Sequence, residues 1–194
     1  MRAKWSRCIG LGFVAIALTA CSPDPGDPVD TSDSSSSAEV EPTETSVPTP
    51  SLTPDEQAAA DSALAAYNGG WEIRVLAQRD PGAKPDWRLD FQQFYAEPLL
   101  SSALATLYGL RDAGLRSPTG EPARAPVAAE VDIEQMQVTI TDCVDTRPWP
   151  SLDASGAVVS TEQPPRPLTA RAYYDTQLAR WLVVEQEADL QATC

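Results

Sequence analysis

Chemistry has few places to reside in this chain. Its 194 residues contain no histidine and four cysteines, at positions 8, 21, 143 and 194. Without an imidazole, Ser-His-Asp and Cys-His nucleophiles and His-ligated zinc or haem are excluded. A cysteine nucleophile is disfavoured for the same reason, because no histidine is there to lower its pKa. Carboxylates are plentiful, 28 against 14 basic side chains, for a net charge of −14. That excess repels phosphate backbones and so argues against nucleic-acid binding by bulk electrostatics. Asp142 and Asp145 flank Cys143 and Val144 near a strand end, as half a calcium site or an acid/base pair would. With no EF-hand loop around them they read as solvated edge charges. Tyr67, Trp71, Phe94, Tyr95 and Tyr108 supply aromatic surface, read as core packing with a ligand-cavity lining as the alternative. No GxSxG, P-loop, dinucleotide fingerprint or SxxK motif occurs. No catalytic residue, cofactor or metal site is therefore assigned.

The N-terminus reads as an address. Arg2, Lys4 and Arg7 precede a 13-residue uncharged run, Cys8 to Ala20, in the order of a secretory signal. The run is too short to remain as a membrane span, which takes about 20 apolar residues. Leu18-Thr19-Ala20-Cys21 then resembles the lipobox of bacterial lipoproteins, with an ordinary secretory peptide as the alternative. The resemblance implies a signal peptide over 1–20, a diacylglycerol on the Cys21 thiol and cleavage after Ala20. It makes Cys21 an acylated, palmitate-bearing N-terminus that anchors the chain to the outer face of the plasma membrane. Two or three acyl chains on one cysteine make a durable anchor where a single chain binds only marginally. The processed chain carries 11 bases against 28 acids, so lipid and not charge must hold it at the surface.

Residues 21–54 comprise this cysteine and a tether. Of the 33 residues from Ser22 to Pro54, 7 are proline, 13 serine or threonine and 7 acidic, with no base and no aromatic. Such a segment cannot bury enough apolar surface to offset the entropy of ordering itself, and it is expected to be disordered.

The globular domain is assigned to residues 55–194. Thr53-Pro54-Asp55-Glu56 is a capping box with proline at the first helical position. Ala60, Leu64, Tyr67, Trp71 and Val75 continue it as an apolar stripe. Asn68-Gly69-Gly70 interrupts the stripe, where a bend or split is expected. A shorter helix is expected over Trp87 to Ala96. Pro98 opens a third, in which Gly114 takes the left-handed C-terminal position. Beyond about residue 122 the period changes to 2. Val131 and Ile133 alternate with acids; Met136, Val138 and Ile140 with polar residues. Asp153 to Gly156 reads as a turn, and Leu168 to Tyr174 and Arg180 to Glu187 as strands. Helices first and strands afterwards predict an α+β domain, three helices packed on a curved antiparallel sheet.

This element order, with Trp181-Leu182-Val183 in the final strand, the Asp153 to Val159 hairpin and the two remaining cysteines, resembles the NTF2-like (cystatin-like cone) domains on lipoproteins of high-GC Gram-positive bacteria. With Cys8 removed and Cys21 acylated, Cys143 and Cys194 face an oxidising exterior and are read as a disulfide, two free thiols or an intermolecular bond being the alternatives. Cys143 lies an odd step from Ile140, which puts it on the polar face of its strand and routes such a bond over the outside of the sheet. The expected function is a membrane-anchored envelope lipoprotein whose domain binds a protein partner or a small apolar ligand. The alternative is an NTF2-like enzyme of isomerase, dehydratase or hydrolase type. An enclosed cavity holding an inward carboxylate would favour the enzyme, and a side-chain-filled interior the binding role.

Overall fold

The computed structural model describes residues 51–160 and 163–194. Cys21, the signal peptide and all but the last four residues of the tether lie outside the described residues. The first helix, α1 (Pro54–Arg79), begins as its sequence dictates. Thr53 Oγ1 accepts from the Glu56 amide at 3.3 Å, while the Thr53 amide donates to Glu56 Oε2 at 2.7 Å. Those bonds hold the exposed Glu56 carboxyl below the usual carboxylate range.

The expected interruption at Asn68-Gly69-Gly70 does not occur, and α1 runs unbroken for 26 residues. The glycines serve a close approach. A β-carbon on Gly69 would fall 2.2 Å from Cε1 of Phe94, and one on Gly70 2.4 Å from Cε1 of Tyr95. The propensity cost of two glycines is thus offset by aromatic rings seated directly on the helix backbone.

The second helix is shorter than expected. Helix α2 (Arg88–Phe91) stops four residues in, because Phe94 to Ala96 turn away to pair with the last strand. The Val183 amide donates to Phe94 O at 2.8 Å, and the Ala96 amide to Val183 O at 3.0 Å. Helix α3 (Leu99–Asp112) follows Pro98 and buries Leu100, Leu104 and Leu107. Gly114 (φ +68°) ends it. The Leu115 amide donates to Leu110 O and the Gly114 amide to Arg111 O, closing a Schellman motif.

Strands β1 (Val127–Asp132), β2 (Gln137–Val144), β3 (Arg166–Asp175) and β4 (Arg180–Ala188) form one antiparallel sheet in the order β1-β2-β3-β4. Met136 is not part of the β2 alternation; at φ 53° it belongs to the β1–β2 turn with Ile133, and both are exposed. The turn starts early because the Asp132 carboxylate captures the Gln135 amide at 2.8 Å. In β2, Val138, Ile140, Asp142 and Val144 point inward, while Cys143 is on the opposite face with Thr139 and Thr141. The Asp153 to Gly156 turn is present, with Leu152 and Val158 bridged across it and Gly156 at φ +87°.

Helix α1 lies against all four strands. Between the layers Tyr67, Trp87, Phe91, Tyr95, Leu107, Val138, Ile140 and Val183 are almost wholly buried. This is an α+β domain with its helices packed on a four-stranded antiparallel sheet.

Candidate functional site

Two features meet where the inward face of the sheet passes beyond α1. The first is polar and buried. Asp142 shares the parity of Ile140 and Val144 and so points under the helix, at 6% exposure. The Tyr67 hydroxyl donates to its Oδ2 at 2.8 Å, and the Ala125 amide to its Oδ1 at 2.7 Å. The edge-charge reading of Asp142 is therefore corrected. Nor is Asp145 a free edge charge, since Arg147 grips its carboxylate at two points, Nη2 to Oδ2 at 2.7 Å and Nε to Oδ1 at 2.9 Å. The strand alternation itself carried the signal: Asp142 falls on the same parity as the apolar residues. Burial, and then the hydrogen bond to Asp142 and its charge, push the Tyr67 phenol well above its ordinary value; the Trp71 indole and the Arg124 charge pull more weakly the other way.

Arg124 donates to Asn68 Oδ1 at 3.0 Å and holds its guanidinium over both Tyr67 and Trp71. Arg74 stacks on Trp71 at 4.7 Å and reaches the Tyr95 ring. The five aromatics divide accordingly. Tyr67, Trp71 and Tyr95 are buried, whereas Phe94 and Tyr108 are half-buried around the core. Tyr108 also bonds outward to Asp86 at 2.9 Å.

The second feature is an apolar hollow of about 230 Å³ walled by Trp71, Val144, Leu168, Ala188 and Leu190. Strand register explains its floor. Asp142 pairs with Leu168 and Leu168 with Ala188, one inward row across three strands. Val144 opposite Arg166 begins the next row. The buried Tyr67–Asp142 pair thus lies directly beside the hollow in that row without lining it. Thr146, Gln163 and Arg166 rim the opening. Thr146 and Gln163 also line a larger hollow of about 460 Å³ that includes Ser117, Trp149 and Ser151.

The outer wall of the apolar hollow is made by the C-terminal tail. The structure joins Cys143 to Cys194 across 51 residues, with Cα atoms 5.9 Å apart. The bond leaves the outward face of β2, as strand parity requires. The Asp189 amide donates to Pro167 O at 2.9 Å, and Arg166 Nη1 donates to the carbonyls of Leu190 and Ala192. These contacts turn the tail back and bring Leu190 to the wall of the hollow, with most of its own surface still exposed. Among the described residues no group of three or more acidic, cysteine or histidine side chains is placed to hold a metal ion.

No protein-family model and no curated protein matches the chain. A helices-on-meander domain of this kind occurs in the crystal structure of the intermembrane space region of chloroplast protein ARC6. That structure superposes with a TM-score of 0.50 and 9% identity, over 66% of this chain and 95% of that one. At that identity the likeness is one of fold.

Proposed function

We propose that the chain is an exported lipoprotein, anchored through Cys21 to the outer face of the plasma membrane, whose NTF2-like domain is a binding module for a small apolar ligand of the cell envelope. The carrying observation is the apolar hollow at the open end of the helix–sheet interface, walled by Trp71, Val144, Leu168, Ala188 and Leu190. The lipobox, the exposed disulfide and the fold shared with an intermembrane-space domain support an extracytoplasmic setting. The long helix across an antiparallel sheet, preceded by the tether composition, supports the NTF2-like assignment.

A second reading, an enzyme acting in the same hollow, is favoured by one observation: the buried Tyr67–Asp142 pair stands beside it. Both Asp142 oxygens already accept protein hydrogen bonds, which leaves the pair suited to joining α1 to β2 and ill suited to taking a substrate proton. Metabolic labelling with an alkyne fatty acid tests the anchor. Wild-type protein should carry the label and partition into detergent, and Cys21→Ala should do neither. Equal partition of both would refute the anchor.

A further inference from the structure

The hollow is apolar inside and cationic at its lip. Arg166 lies inward at the start of β3, opposite Val144. Among the described residues only its Nη1 is engaged, by the carbonyls of Leu190 and Ala192. Among the described residues Arg166 meets no carboxylate, although acids outnumber bases two to one in the chain. A guanidinium carries five N–H donors in a planar fork, so among the described residues the rest of the fork has no oxygen to bind. The volume of about 230 Å³ holds roughly seven or eight water-sized groups. Trp71, Leu168 and Leu190 offer those groups apolar walls.

We propose that this site takes an amphipathic monoanion, a medium-chain carboxylic acid in its simplest form, with the alkyl chain in the hollow and the carboxylate on the free edge of Arg166. The proposal rests on the binding-module reading above and adds the head group to it. The tail bearing Leu190, itself 69% exposed, flanks the site on one side, and the Cys143–Cys194 bond keeps that tail in place. A neutral apolar molecule would fill the same volume and leave the fork unpaired. A short acid would pair the fork and leave the walls wet.

The test is calorimetric or NMR titration of the oxidised domain with octanoate, 1-octanol and acetate. Octanoate should bind at least tenfold more tightly than octanol, and acetate should not bind measurably. Arg166→Gln should erase the preference for octanoate while octanol binding persists, its melting temperature reporting whether the tail stays seated. Ala188→Phe, which fills the hollow from β4, should abolish binding of both long-chain probes. Octanol binding as tightly as octanoate, or Arg166→Gln keeping the preference, overturns the anionic head group and leaves the apolar site standing. Failure of both long-chain probes to bind, or equal binding to Ala188→Phe, overturns the hollow as a binding site and the functional reading with it.

Discussion

At the scale of single residues, the buried contact that matters most is Tyr67 with Asp142. A carboxylate under a helix is tolerated only when its oxygens are bonded, and here a phenol and a backbone amide do so. Removing the hydroxyl in Tyr67→Phe leaves Oδ2 of Asp142 without that donor, a loss expected to cost about 1–3 kcal/mol of stability. Denaturant unfolding measures it directly. The same contact sets an alkaline limit. Burial and Asp142 favour the neutral phenol, so the folded pKa lies above the ordinary value near 10. Below pH 10 both folded and unfolded states keep the proton and the contribution is complete. Above about pH 10 the unfolded chain releases it while the folded one holds it, so stability falls as pH rises. Tyr95, raised by burial, acts with the same sign. Melting temperatures of Tyr67→Phe should therefore decline less steeply above pH 10 than those of wild type. Parallel curves would show that Tyr67 does not carry the limit.

Among the elements, α1 depends on what it lacks. Helix propensity alone predicts that alanine at Gly69 or Gly70 stabilises by about 1 kcal/mol. The ring atoms of Phe94 and Tyr95 stand well inside contact distance of the added carbons, and overpacking of this kind costs typically 1–3 kcal/mol. Both substitutions are expected to destabilise. Gly70→Ala should be the worse of the two, since Tyr95 is 1% exposed and cannot swing aside whereas Phe94 is only partly buried. A net gain at Gly70 would show that the aromatic seat adjusts freely. The cap and stripe of α1 were legible because they are local. Its continuity through two glycines was not, because the reason for them lies 25 residues away in the chain. The early end of α2 has the same origin, since residues 94–96 just beyond it pair with Val183, at least 87 residues later in the chain.

For the whole molecule, the Cys143–Cys194 bond restricts the unfolded chain by about 4 kcal/mol on a loop-entropy argument. Reduction, or Cys143→Ser with Cys194→Ser, should lower the melting temperature and leave the helical circular dichroism intact, because α1 to α3 are held mainly by their packing on the sheet and on one another. Loss of the helical signal at room temperature would mean that the tail organises the entire fold.

Composition and local pattern by themselves determined much of this protein. The missing histidine, the acidic balance, the lipobox-like run, the capping box, the period change near residue 122 and the outward parity of Cys143 are properties of neighbouring residues, readable wherever the chain goes. Tertiary structure alone decided that Asp142 meets Tyr67, 75 positions apart, and that Leu190 returns to line one hollow with Trp71 and Leu168. Those contacts depend on which strands pair and in what register. Register is set by the summed burial of a whole face, a quantity that no short stretch of sequence contains.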